Sequence, residues 1–341
     1  MTRPCWILVT ALLLAAGLVR VGNAQAVYGT IVGTVTDPSG AQVSAATVTI
    51  TDMDRNVSTT TVTNDSGNFR QGFLIVGRYK VKVEHPGFRT YVQDNINVSV
   101  DNETRVDTQL QLGSTNQTVE VTAQGDVLKT ERSDVAITFS QKQVDDLPSI
   151  GRRFSNFELM TPGVTQTAGN SISTESENPM GSYRVSVNGQ MYSAVTQLLD
   201  GTDNHDAVLA YQVINPPLDA VTEAKITTNA FDAEFGMAGT MVVSSQTKSG
   251  TNELHGSLFE YLRNDHLEAR NPFTQSVNVN GRAIPVTIWN QYGGSIGGAI
   301  KKNKLFYFGD YQGTDRRTGG SVTEWVPTAA ERAGNLNDMG L

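Results

Sequence analysis

Hydrophobic and polar residues alternate with a period of two along most of this chain. That spacing puts successive side chains on opposite faces of a β-strand. In "YGTIVGTVTDPSGAQVSAATVTITDMD", Ile31, Gly33 and Val35 share one face. "DPSG" (37–40) supplies a turn with proline at its second position and glycine at its fourth, and Ala46, Val48 and Ile50 resume the alternation. "TNDSGNF" (63–69) is a second turn. Tyr79, Val81 and Val83 then point inward against Lys80 and Lys82, and Val106, Thr108, Leu110 and Leu112 form a last inward row. About six or seven short strands at this spacing predict a β-sandwich over residues 27–112.

Residues 113–125, "GSTNQTVEVTAQG", form a polar linker around a short β-prone run. That run reads either as the last strand of the sandwich, as the first of the next domain, or as an exposed segment that adds a strand to a partner's sheet.

From residue 126 to residue 252 the pattern mixes helix and strand. Ser140 with Gln143 three residues on has capping-box spacing, with Val144 and Leu147 on one helical face and Pro148 as a stop. Ser155 and Glu158 repeat the device. "RVSVNGQ" (184–190) is a strand entering an Asn-Gly turn, and "QLLDGTDNHD" (197–206) a strand end followed by an acidic loop. Residues 219–252 read as helical turn, strand, Gly-rich loop and strand. The expectation is a small α+β domain. In "GSLFEYLRND" (256–265) strict alternation returns. Ser257, Phe259 and Tyr261 face one way and Leu258, Glu260 and Leu262 the other, and both faces mix polar with apolar residues.

Composition narrows the picture. The abundance of Thr, Ser, Asn, Gly and Val suits strands and tight turns. A length of 341 residues allows about two or three domains. The formal charge is −8, and no basic patch is present, which argues against a nucleic-acid partner. Residues 1–26 run from Arg3 through an apolar stretch to small residues at Gly22, Ala24 and Ala26, the order of a secretory signal peptide. Losing them removes Arg3 and Arg20 and takes the charge to −10. It also removes Cys5, the only cysteine, so no disulfide framework or cysteine-based zinc site would remain.

Catalytic and metal motifs are not found. "GGSIG" (293–297) has the Gly-x-Ser-x-Gly spacing, but a nucleophile elbow needs a strand before it and a helix after it. Here it sits inside a strand pattern. An EF-hand loop starting at Asp200 needs Gly at its sixth position and Glu at its twelfth, where His205 and Tyr211 stand. His205, His255 and His266 have no ligand spacing, and no phosphate or dinucleotide loop is present. The reading is therefore a non-enzyme with no cofactor and no metal.

Two resemblances carry the rest. "GTVTDPSGAQVSAATVTI" and "TNDSGNFRQGFLIVGRYKVKVEHPGF" are similar to the carboxypeptidase-regulatory-like family, whose sandwich is related to transthyretin and to starch-binding modules. That implies the sandwich but no peptidase activity. By analogy with the starch-binding relatives, Tyr28, Phe69, Phe73, Tyr79, Phe88 and Tyr91 are candidates for a sugar-stacking face, with core packing as the alternative. "LPSIGRRFSNFELMTPGV", "SVNGQMYSAVTQLLDGTDNHD", "NPPLDAVTEAKITTNAFDAEFGMAGTMVVSSQTKSGTNELHGSLFEYLRND" and "NQYGGSIGGAIKKNKLFYFGDYQG" resemble the plug and first barrel strands of TonB-dependent outer-membrane receptors, Oar-like branch.

The resemblance implies a mainly β, multidomain chain: the sandwich, a linker (113–125), an α+β plug domain (126–252) and the first strands of a transmembrane β-barrel (253–341). Residues 253–263 become the first barrel strand, 271–289 an outer loop, 291–300 the descending strand, 301–304 a periplasmic turn and 305–313 the third strand. Three strands cannot close a barrel, so the chain is expected to be the front of a longer protein. The implied partners are TonB, outer-membrane lipid and an unidentified extracellular ligand, carbohydrate among the options. The candidate TonB box is Val119, Glu120, Val121, Thr122 and Ala123, and the candidate ligand-facing plug loop holds Asp200, Asp203, Asn204, His205 and Asp206. The rival expectation is a surface adhesion or glycan-binding protein that uses the sandwich. Deleting residues 119–123 separates the two, because only import should vanish.

Overall fold

The computed structural model describes residues 28–113, 118–122, 131–147, 149, 152, 154–166, 184–190, 194–206, 211–269, 284, 286–318 and 328–333. The expected leader, Ala123 and Pro148 lie outside the described residues. The chain divides into two compact bodies. One holds the described residues up to Gly256 with Ile296–Gly309, and the other those of Ser257–Ser295 and Asp310–Leu341.

The first nine strands are β1 (Gly29–Thr36), β2 (Thr47–Asp52), β3 (Val57–Val62), β4 (Asn68–Leu74), β5 (Gly77–Glu84), β6 (Thr90–Val98), β7 (Glu103–Arg105), β8 (Thr108–Gln109) and β9 (Thr118–Thr122). They form two sheets, one ordered β4-β1-β7 with β8 also on β1, the other β3-β2-β5-β6-β9. Between them lies a core of Ile31, Val35, Ala46, Val48, Ile50, Phe69, Tyr79, Val81, Val83 and Ile96, all buried as the alternation requires. Each large apolar side chain buried there contributes roughly 1.5–3 kcal/mol. Asp37 and Asn64 close their turns in the same way: each side-chain oxygen accepts backbone N–H groups two and four residues on. Leu112 departs from its expected inward place. The strand has ended by then, and Leu112 is 68% exposed beside an isolated bridge to Phe88.

The second domain contains β10 (Val135–Ser140), β11 (Val164–Gln166), β12 (Val185–Val187), β13 (Val195–Leu199), β14 (Thr202–Asp203), β15 (Val221–Asn229) and β16 (Met241–Thr247), with helices α1 (Gln141–Asp146) and α2 (Ser155–Leu159). Its sheet runs β10-β15-β16-β13-β14, parallel only between β13 and β16, and β11 pairs with β12. Phe139, Val144, Phe154, Phe157, Ala224, Ile226 and Met241 share its core. Ser140 caps α1, and its backbone N–H donates to Gln143 Oε1 at 2.9 Å. The second capping device does not form. Phe154 occupies the N-cap, and Ser155 and Glu158 are turned fully into the interior. Their apolar neighbours Phe154 and Phe157 anchor α2 and rotate that face inward.

The last sheet is β17 (His255–Asn264), β18 (Thr287–Lys301) and β19 (Leu305–Thr318), in that order. Both later strands are longer than the sequence pattern marked. Neighbouring strands decide the faces. An added Cβ on Gly294 would meet Leu258, and one on Gly298 would meet Tyr307; one on Gly293 would meet the Phe259 ring. Leu258, Leu262, Tyr292, Ile296, Ile300, Leu305, Tyr307 and Tyr311 therefore share one face, and all of them are exposed, Leu258 by 93%. Glu260 interrupts that face. The opposite face carries Ser257, Phe259, Tyr261, Gln291, Gly293, Ser295, Gly297, Phe306, Phe308 and Asp310. A broad exposed apolar face, backed by one that mixes serine, glycine, acidic and aromatic residues, agrees with the wall of an outer-membrane barrel. "GGSIG" lies wholly inside β18, where Ser295 Oγ sits 3.0 Å from Ser257 Oγ. Among the described residues no helix is long and apolar enough to cross a membrane.

Candidate functional site

Thr118–Thr122, which holds four of the five candidate TonB-box residues, is strand β9 on the sandwich's own sheet. It pairs in parallel with β6 over five positions, Thr90↔Thr118, Tyr91↔Val119, Val92↔Glu120, Gln93↔Val121 and Asp94↔Thr122. β9 ends that sheet, so among the described residues no strand pairs with its other edge.

The acidic stretch is a hairpin, not an open loop. Leu198 pairs with Asp203 and Leu199 with Thr202, and Asp200 (φ +50°) with Gly201 (φ +78°) make the two-residue turn. Two successive positive-φ residues match the strand twist, which is why Asp-Gly works there. Asp200 accepts from the backbone N–H and hydroxyl of Thr247, at 2.7 and 2.8 Å. The Asn204 amide, 4% exposed, both donates to and accepts from the Ile214 backbone. The Asp206 N–H donates to Tyr211 O. Asp200 and Asn204 are thus engaged in shaping the hairpin.

Asp203 and His205 instead line a cavity of about 630 Å³. Its other walls include Tyr28, Arg70, Phe73 and Asp101 of the sandwich together with Arg132, Asp232, Glu234 and Phe235. Phe73 is 74% exposed and meets Tyr28 edge-on at 6.0 Å, with its backbone held at φ +59°. Of the other aromatic candidates, Phe69, Tyr79 and Tyr91 are buried in the sandwich core, and Phe88 packs on its margin.

Beside the cavity the two domains meet through charge. Lys225, 1% exposed, donates to Asp101 O (2.5 Å) and contacts the carboxylates of Asp101 (3.0 Å) and Asp134 (2.5 Å). Arg132 bridges Asp101 (2.7 Å) and Asp232. Glu223 accepts the Val100 N–H at 2.8 Å. Carboxylate oxygens of Asp101, Asp232 and Glu234 lie within 4.8 Å of one another, the geometry of a cation site. Arg132 already supplies positive charge there. Burial, with the Asp101 and Asp232 charges, raises the Glu234 carboxyl above its ordinary range. Sequence reasoning missed this contact. The available signal was Glu223 and Lys225 two apart on a strand whose intervening residues, Ala224 and Ile226, are apolar: one face for the core and one for a charged neighbour.

A second buried group is Glu158. Burial pushes its carboxyl up to about 7, while a hydrogen bond from Gln197 Nε2 at 3.1 Å acts weakly the other way.

Residues 30–111 match the carboxypeptidase regulatory-like domain family, and residues 246–340 match the outer membrane beta barrel domain family. The TonB-dependent transporter Oar of Myxococcus xanthus is 26% identical over 312 residues, which cover 89% of this chain. This chain spans 28% of the length of that relative. The barrel match and the likeness to Oar support an outer-membrane location for this chain. Among solved structures, hydroxyquinol 1,2-dioxygenase from Pseudomonas putida DLL-E4 aligns at 10% identity and TM-score 0.22, over 27% of this chain and 59% of that one. Catechol 1,2-dioxygenase from Acinetobacter sp. ADP1 aligns at 12% and 0.23, over 30% and 60%. Likenesses this slight carry nothing about the chemistry of this chain.

Proposed function

We propose that this chain belongs to a TonB-dependent import receptor. In that reading residues 126–252 are the plug and residues 119–123 the segment grasped by TonB. The relationship to a TonB-dependent transporter along 89% of the chain carries the proposal. Two features agree with it. The outer membrane has no nucleotide supply, so a plug must be moved by pulling on a segment that a periplasmic partner can reach. A short strand before the second domain, whose other edge has no partner strand among the described residues, is such a handle.

Ligand contact is assigned to Asp203 and His205 of the hairpin. Because they share a cavity with Tyr28 and Phe73, a ligand held there would touch the sandwich as well. That sharing also keeps the second reading in play, a surface protein that binds glycans through an exposed aromatic of its sandwich.

The test is site-specific photocrosslinking from position 119 in cells of the full-length protein. We expect a TonB adduct that disappears in Val121→Pro, because proline removes a ladder N–H, while the amount of receptor in the outer membrane is unchanged. No adduct at any of positions 119–122, with adhesion to glycan-coated surfaces intact, would favour the glycan-binding reading.

A further inference from the structure

We infer that Glu158 and Gln197 form a proton-dependent latch: the neutral acid pairs with the amide and holds helix α2 to strand β13, and loss of its proton frees the hairpin that β13 makes with β14.

The observation is a surplus of acceptors. Glu158 and Gln197 are enclosed, at 0% and 2% exposure. Gln197 Nε2 donates to Glu158 Oε1 at 3.1 Å. Glu158 Oε2 and Gln197 Oε1 are left over, both buried with no hydrogen-bond partner among the described residues. The buried hydroxyls of Ser244 and Ser245 make no hydrogen bond either, so they do not supply the missing donor. A carboxylate only accepts, whereas a protonated carboxyl adds an O–H donor. One proton on Glu158 Oε2, directed at Gln197 Oε1, therefore serves both leftover oxygens and completes a cyclic acid–amide pair.

No cation offsets an ionised Glu158. Strands β10, β11, β12, β13 and β16 share its core and carry no charged residue. On β15, Glu223 and Lys225 are spent on Val100 and Asp101 of the sandwich. Lys142, Asp145 and Asp146 of α1 are exposed, Arg152 pairs with Asp219, and Arg184 lies over the Tyr211 ring. A buried charge without a partner is costly, so the acid stays neutral until the pH is high enough to force its proton off.

The latch reaches the cavity through β13. Side chains alternate along a strand, so Gln197 points at α2 while Thr196 and Leu198 line the cavity from the other face. The Gln197 carbonyl also accepts the Asn204 N–H at 2.9 Å, just past β14. One residue thus ties the helix to the hairpin that carries Asp203 and leads to His205. When Glu158 gives its proton to water, the carboxylate draws solvent inward, the pair opens and the hairpin gains freedom.

Two measurements on the full-length receptor in lipid vesicles test this. Infrared difference spectra between wild type and Glu158→Gln isolate the Glu158 carboxyl. A protonated-carboxyl band should be present at pH 5.5 and gone at pH 8.5, with its midpoint at about 7. Absence of the band at pH 5.5 would overturn the inference. The second measurement places a nitroxide on Thr202→Cys, an exposed hairpin position, with Cys5→Ser removing the other thiol. The mobile fraction of the label should rise at least about threefold over the same pH interval, as expected when a local contact opens. In Glu158→Gln it should keep its low-pH value throughout, because an amide stays neutral. His205→Gln should leave the wild-type step in place, which separates Glu158 from the titratable groups of the hairpin itself. An equal step in Glu158→Gln, a step lost in His205→Gln, or a silent label while the carboxyl band titrates would each refute the latch.

Discussion

At the scale of single residues, Glu158 makes the sharpest claim. Its carboxyl ionises near 4.5 in an exposed chain and at about 7 in the fold. Between those values only the unfolded chain has released its proton, so the folded state loses stability as pH rises through that window. The loss levels off above about 7, with a total of about 3 kcal/mol for a shift of this size. Glu158→Gln should flatten the dependence, because the amide stays neutral in both states. Urea denaturation of the two proteins at pH 4.5 and pH 7.5 checks this; parallel slopes for both would refute it. The sequence suggested the opposite role for this residue. Spacing from Ser155 to Glu158 is that of a cap, and spacing cannot report which way a two-turn helix is rolled. Phe154 and Phe157, both fully buried, decide the roll. The Asp-Gly pair at 200–201, by contrast, was a strong local signal for a two-residue hairpin, which the sequence reading overlooked by weighing the charges of the stretch instead.

At the scale of elements, alternation was a dependable guide wherever one face met a core. Ile31, Val35, Val48, Ile50, Val81 and Val83 all lie where the period of two puts them. It was ambiguous for Leu258 and Phe259, since a single strand does not reveal its neighbours. Only beside β18 and β19 does the Leu258 face become a broad apolar band, interrupted by Glu260. This yields a paired prediction for the full-length protein. Ile296→Arg, on the apolar face of β18, should destabilise the membrane-inserted form by about 2–4 kcal/mol near the bilayer midplane. Ser295→Arg, one residue away on the opposite face, should cost much less. The fraction of heat-modifiable, folded band on gels after refolding into lipid vesicles reads both, and equal losses would show that the faces are wrongly assigned. Strand β15 teaches the complementary lesson. The strand pattern gave no sign of a partner for its charged face, and Lys225 is buried between Asp101 and Asp134. Removing one partner of a buried pair leaves uncompensated charge, so Lys225→Ala should lower stability by about 3–5 kcal/mol. Adding Asp101→Asn and Asp134→Asn should restore part of that loss in thermal unfolding of the purified protein. No recovery would mean that the side-chain packing of Lys225, not its charge, is what matters.

At the scale of the whole molecule, the sandwich and the second domain are joined by more than the chain between them. Asp101, Arg132, Glu223 and Lys225 link one domain's turn to the other's sheet. A second attachment lies at the far end of the second domain. There Arg55, paired with Asp52, donates to Gly250 O at 3.2 Å and to Ser249 Oγ, and the Asn252 amide donates to Arg55 O at 2.7 Å. Arg55→Ala should therefore speed protease cleavage between residues 248 and 254 several-fold, seen by mass spectrometry of timed digests. Unchanged cleavage would mean that this segment is held from elsewhere. The consequence reaches protein engineering. A foreign sandwich grafted in place of residues 28–112 could reproduce every strand and still dock poorly. The module's portable identity includes one arginine on a surface turn, and a successful chimera has to carry that arginine along with its aspartate.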